Sequence, residues 1–97
     1  MTTRSFELKP VSGRKSFGGK CRCFMFSNNE MVLVSYNTPV AFTSGGKLHR
    51  CWSGYTATTT SHVDAFASFA GVPFSGKQDW YALPVEKLPS RLSKIDL

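Results

Sequence analysis

The chain has 97 residues, 41% hydrophobic and 13% aromatic, with a charged share of only 19%; this suffices for one modest core and excludes a disordered chain. Its net charge is +6, which excludes imitation of the negative field of DNA, and no apolar run approaches the roughly 20 residues of a membrane-spanning helix. Met1-Thr2-Thr3-Arg4-Ser5 has no secretory apolar stretch, and three Cys, an odd number, argue against a disulfide framework, so a cytoplasmic protein with reduced thiols is expected.

Arg4, Lys9, Arg14, Lys15, Lys20 and Arg22 oppose only Glu7 in the first 22 residues, so the excess charge is concentrated there. Residues 5–9 read as a short strand. Pro10, Ser12-Gly13 and Gly18-Gly19 then break the pattern, making residues 1–14 a flexible basic arm, with Phe17 as its anchor to the core. Residues 20–26 alternate, with Cys21, Cys23 and Met25 on one face and Arg22, Phe24 and Phe26 on the other. Ser27-Asn28-Asn29-Glu30 supplies turn chemistry. Met31-Val32-Leu33-Val34 is continuously apolar, as a central strand covered on both faces is. Asn37-Thr38-Pro39 interrupts, because proline cannot donate to a ladder, and Val40-Ala41-Phe42 resumes. Ser44-Gly45-Gly46-Lys47 is a second hairpin turn. Residues 48–52 form a further strand, with Leu48, Arg50 and Trp52 on one face and His49 and Cys51 on the other.

The threonine-rich stretch then opens a helix over residues 61–70. Val63, Phe66, Ala67 and Ala70 recur at i, i+3, i+4 and i+7, Thr59 or Thr60 supplies the N-cap, and Gly71 the left-handed C-cap. Residues 72–76 connect, residues 79–83 form a last short strand or a helical turn, and residues 89–97 are a flexible tail. The expected architecture is a single α+β domain over residues 1–97, a small antiparallel sheet of three to five strands with one main helix on one face.

Basic residues with aromatics among them are the chemistry of nucleic-acid stacking and equally of protein hot spots. The partner-binding candidates are Arg14, Lys15, Lys20, Arg22, Tyr36, Lys47, Arg50 and Tyr55. Thr58, Thr59, His62 and Phe66 read as a structural motif, in which hydroxyls cap the helix and His62 makes a structural hydrogen bond near the sheet edge. Neighbouring helical residues point about 100° apart, so Ser61 and His62 do not form a nucleophilic pair and no catalytic residue is assigned. Cys21, Cys23, His49 and Cys51 hold the donors of a Cys₃His zinc site. Their i, i+2 spacing on strands is not that of a zinc ribbon, so buried thiols are expected, with no metal and no cofactor. Gly18-Gly19-Lys20 and Gly45-Gly46-Lys47 lack the phosphate-loop spacing and read as turns.

Three blocks in order carry a resemblance: Lys15-Ser16-Phe17-Gly18-Gly19-Lys20, then Ser35-Tyr36-Asn37-Thr38-Pro39-Val40-Ala41, then Trp52 with Tyr55-Thr56-Ala57-Thr58-Thr59, His62 and Phe66. Over residues 15–70 the chain resembles a family of small uncharacterised phage, prophage and plasmid proteins with the pattern SF-x-GK, SYNT-x-VA, W, S-x-TT-x-x-H-I-x-x-F. It departs in having Thr56 where that family often has Ser, and Gly18 where it often has an aromatic residue. The resemblance implies a mobile-element origin, a bacterial host cytoplasm, and a role in interference with host defence or in nucleic-acid handling. With no assembled catalytic set, the expectation is a small non-enzymatic binding protein. Its most concrete form is an anti-CRISPR-like inhibitor that binds a host protein or protein–nucleic acid complex. The alternatives are a nucleic-acid-binding accessory protein using the basic segment and exposed aromatics, and a small zinc or Ser/His enzyme. No membrane partner is expected, and the oligomeric state is left open.

Overall fold

The computed structural model describes residues 3–9, 19–93 and 95. Each tight turn falls where the chain can adopt positive φ. Asn29 has φ 69°, Tyr36 and Asn37 have 52° and 73°, and Gly45 and Gly46 have 61° and 76°. Two consecutive positive-φ residues make the turn whose twist matches an antiparallel hairpin. These turns join β2 (Cys21–Phe26), β3 (Met31–Ser35), β4 (Thr38–Ser44) and β5 (Lys47–Arg50), and β1 (Thr3–Glu7) pairs on β2, giving a five-stranded antiparallel sheet in sequence order. The helices α1 (Ala57–Ala70) and α2 (Lys77–Ala82) and a single 3-10 turn, Ser90–Leu92, follow.

The period-2 pattern sorts the core into two layers. Cys21, Cys23, Met31, Leu33 and Ala41 face the helices and pack with Val63, Ala65 and Phe66 of α1 and Trp80 of α2. Phe24, Phe26, Val32, Val34 and Phe42 make the opposite layer. β3 is thus buried on both faces, which is why it reads as an unbroken apolar run. Its register against β4 shifts between Leu33 and Val34, where Pro39 enters the strand, and Val40 and Ala41 both reach the helix-side core.

Four expectations need correction. The helix starts four residues before residue 61, at Ala57, and its N-cap is Thr56 rather than Thr59 or Thr60. Thr56 is extended, at φ −138° and ψ 158°, and its Oγ1 accepts the Thr59 N–H at 3.0 Å. Thr60 and Ser61 fit inside the first turns because their hydroxyls donate to the carbonyls of Thr56 and Ala57.

Part of the expected arm is a strand. β1 pairs with β2 from Thr3↔Phe26 to Glu7↔Arg22, and Leu8, buried, donates its N–H to the Cys21 carbonyl at 2.9 Å. Residues 10–14, with Lys15 and Phe17, lie outside the described residues. Of residues 79–83, left open between a strand and a helical turn, 79–82 take the helical option as part of α2, which begins at Lys77.

The tail expected to be flexible from residue 89 is packed through 93. Leu92 is 1% exposed and sits on the Phe24, Phe26 and Phe42 layer, with Leu88 and Ile95 beside it. The reason is geometric: α1 covers only one face of a sheet that is apolar on both.

A polar clip holds this cover in place. Arg91 donates to Glu30 in bidentate fashion, Nε to Oε1 at 2.9 Å and Nη2 to Oε2 at 2.6 Å. Ser44 and Asn28 donate to the same carboxylate at 2.6 and 2.8 Å. The Arg91 bond above all, then Ser44, pulls the Glu30 carboxyl down from 4.5 to about 2. A carboxylate lowered on folding stabilises the fold above its unfolded value, and that contribution is lost as the pH falls from about 4.5 to about 2. Thermal melts across this window are expected to show the acid loss in the wild type and a flatter dependence in Glu30→Gln.

Candidate partner-binding site

At the end of β3, Ser35 shares the helix-side face of Met31 and Leu33 and meets α1 from below. Its Oγ lies 2.7 Å from Nδ1 of His62, and the two residues are 3% and 1% exposed. Because α1 begins at Ala57, His62 stands in the second turn, on the buried face with Val63 and Phe66, and not in the first turn. His62 thus has a buried hydrogen bond, but its partner is the last residue of the central strand and not a group at the sheet edge as expected.

Tyr36 closes over this pair. Its ring stacks on the imidazole, with centroids 5.8 Å apart and planes at 30°. A left-handed aromatic residue is uncommon, and here several contacts hold it. The Tyr36 N–H donates to the Lys20 carbonyl at 3.1 Å, the imidazole supports the ring, and Lys20 Nζ lies 5.2 Å from the ring centroid. The ring nevertheless remains 54% exposed. Alongside, Arg22 Nη2 donates to Asn37 Oδ1 at 2.8 Å, so the turn carries two cations. Between Tyr36 and Trp52 opens a cleft of about 330 Å³ whose walls include the hydroxyl-bearing Thr38, Thr56 and Thr58.

The loop from Cys51 to Thr56 is locked from beneath. Arg50 donates through Nε to the Trp52 carbonyl at 2.9 Å and through Nη2 to that of Ser53 at 2.7 Å. Its Nη1 reaches the carbonyls of Trp80 and Leu83 at 3.2 and 3.3 Å. Trp80 Nε1 donates to the Gly54 carbonyl at 2.8 Å, and a Cβ on Gly54 would stand 2.4 Å from the Trp52 ring, so only glycine allows this approach. Next to the loop, Tyr55 and Tyr81 meet at 5.7 Å, with Lys77 Nζ 5.5 and 6.0 Å from their ring centroids. Tyr81 is 54% exposed.

The structure thus gathers Lys20, Arg22 and Tyr36 at one end of the sheet, while Tyr55 sits with Tyr81 and Lys77 of α2. It does not bring the whole expected set together. Arg50 is 5% exposed and spends its donors on four carbonyls, so it belongs to the interior. Lys47 follows the Gly45-Gly46 turn, at the end of β4 away from Tyr36, where it lines a cleft with Asp79 and Ala82 of α2. Arg14 and Lys15 lie outside the described residues. Of the structural motif, Thr58 lines the cleft, Thr59 is buried behind the cap and Phe66 is in the core. Ser35 and Lys77 went unassigned in the sequence, whereas Tyr81 is one of its aromatics set among basic residues. Strand parity with Leu33 is the signal that marks Ser35, and nothing local marks Lys77.

The cysteines and His49 do not converge. Cys21 and Cys23 face α1, while Cys51 packs on the opposite layer and His49 stacks on Phe42 there, 4.7 Å between centroids. Burial pushes the Cys21 thiol up to about 12, with Cys23 adding to it, and pushes Cys23 to about 12. Cys51 is raised to about 11 by burial and then by Glu86. The four donors are thus divided between the two faces of the sheet.

Neither the curated proteins nor the solved structures gave a match. A family model does match, over residues 6–82, from within β1 to the last residue of α2, and so takes in Ser35, Tyr36, Trp52 and His62 while ending before the 3-10 turn. The chain belongs to that family, DUF8033, a family of unknown function.

Proposed function

We propose that the protein is a small non-enzymatic binding protein that grips a partner with the surface formed by Lys20, Tyr36, Trp52, Tyr55, Lys77 and Tyr81. The observation that carries this reading is Tyr36, an exposed ring in a left-handed conformation stacked on a buried Ser35–His62 pair. Strained backbone at an exposed aromatic is the pattern of a site kept for contact, since packing alone would favour asparagine or glycine there. Rigid Tyr and Trp faces flanked by cations make the anchors of protein interfaces. Lys20, Arg22 and Lys77 select an acidic partner surface. Combined with the resemblance to phage and plasmid proteins, this reading makes the protein an inhibitor of a host defence complex, in the manner of an anti-CRISPR, in the cytoplasm of a bacterial host.

Lysines poised over tyrosine rings also suit a nucleic acid, with bases on the rings and phosphates on the ammonium groups, and this supports a second reading as a nucleic-acid-binding accessory protein. Titrating short single- and double-stranded DNA and RNA at two salt concentrations separates the two. A protein binder leaves the oligonucleotides free near physiological salt. Tight binding whose log K falls by about 0.7–0.9 per phosphate contact with log salt would replace the first reading with the second.

A further inference from the structure

Between the β4–β5 turn, the connector of residues 72–74 and α2 opens a cleft of about 370 Å³ walled by Leu48, Val72, Pro73, Phe74 and Leu83. Its walls are held from behind. Leu48, Phe74 and Leu83 pack against the helix-side core, and the Phe74 ring meets that of Trp80 edge to face at 6.5 Å. Among the described residues, the only polar side chains lining the cleft are two of opposite charge, Lys47 and Asp79. They do not pair with each other, since the ion pairs among those residues are His49–Glu86 and Arg91–Glu30. Lys47 is exposed, and its ammonium has no hydrogen bond or ring contact to any described residue. Asp79 Oδ2 accepts the Ser75 N–H and hydroxyl, each at 2.8 Å, while Oδ1 accepts nothing from a described residue. The hydroxyl bond, then the backbone one, holds this carboxyl below its usual value, so it is charged at neutral pH. An apolar concavity of a few hundred Å³ with a few convergent polar groups is the form that small-molecule sites take.

We propose that this cleft binds a free apolar α-amino acid such as leucine, with its carboxylate on Lys47 Nζ, its ammonium on Asp79 Oδ1 and its side chain against Leu48, Phe74 and Leu83. An apolar body carrying both signs answers both charges at once. A fatty carboxylate would meet Asp79 with like charge, and an alkylamine would do the same at Lys47. The cleft shares no residue with the surface formed by Lys20, Tyr36, Trp52, Tyr55, Lys77 and Tyr81, so the two sites are tested separately.

Methyl NMR of the full chain titrated with L-leucine tests the proposal, because Leu48 and Leu83 line the cleft while Leu92 reports on the opposite layer. Three further probes each lack one part of leucine: 4-methylpentanoate the ammonium, 3-methylbutylamine the carboxylate and glycine the side chain. Saturable shifts at Leu48 and Leu83 with leucine, with Leu92 unmoved, are expected, and binding about tenfold weaker for each of the three. Lys47→Met is expected to erase the preference for leucine over 3-methylbutylamine. Asp79→Asn, which keeps an oxygen for Ser75, is expected to erase the preference over 4-methylpentanoate. Absence of saturable shifts up to about 10 mM leucine, equal affinity for either single-charge probe, or unchanged preferences in the two variants would overturn the proposal.

Discussion

Arg50→Lys is expected to destabilise the protein by about 3 kcal/mol or more in chemical denaturation, although it conserves charge and most of the volume. The guanidinium fork reaches four carbonyls on two sides of the loop, those of Trp52 and Ser53 and those of Trp80 and Leu83. An ammonium on a single stem cannot span both sides; the bond to the Trp80 carbonyl is buried and the other three are partly so, and a carbonyl left without its donor costs up to about 1–3 kcal/mol, most where it is buried. Arg50 also lies 4.9 Å from the Trp80 ring and 5.3 Å from that of Tyr81, so its loss loosens the platform beneath the exposed tyrosine. The near-ultraviolet signal of Trp80 should weaken together with stability. A change within about 0.5 kcal/mol would put Arg50 back among the surface residues.

Leu92→Ala carries the second large effect, about 2–5 kcal/mol, the range for emptying a buried leucine site. Leu92 is 1% exposed and covers a layer of three phenylalanines and two valines. Removing residues 89–97 altogether should uncover that layer and drive association, detectable as dye binding to apolar surface and as higher-order species in light scattering. A freely moving tail would predict neither result, so a Leu92→Ala melting curve that overlays the wild type would refute the packed-cover description.

These two residues also mark the limits of what the sequence discloses. Alternation alone places Arg50 on the face of Leu48 and Trp52, and that parity already argues for an interior arginine; its charge suggests a surface role and outweighs the parity. Leu92 carries no such mark. Its burial follows only once α1 is known to cover a single face of a sheet that is apolar on both. The strands, by contrast, are legible because Cys21-Arg22-Cys23-Phe24-Met25-Phe26 and the unbroken Met31-Val32-Leu33-Val34 each have one satisfactory placement.

The helix start is obscured by its own threonines. Each of Thr56, Thr58, Thr59 and Thr60 has cap chemistry, and only backbone geometry selects Thr56. At the candidate site, Tyr36, Tyr55 and His62 are visible as residue types, but the Ser35–His62 bond joins positions 27 apart and depends on how α1 crosses β3. Lys77 enters only because α2 brings it, with Tyr81, against Tyr55.

The most direct test of the binding surface is a quantitative capture from bacterial host extract with immobilised wild type, Tyr36→Ala/Tyr81→Ala, and, as the control, Lys87→Ala, an exposed position beside Leu88 on the opposite layer. Both tyrosines are half exposed, so circular dichroism should confirm that the double variant keeps its fold. The account expects wild type and Lys87→Ala to retain the same protein to the same extent, and the double variant to retain less than about a tenth as much, as loss of two anchor rings implies. Equal retention by all three, or loss only with Lys87→Ala, would contradict it.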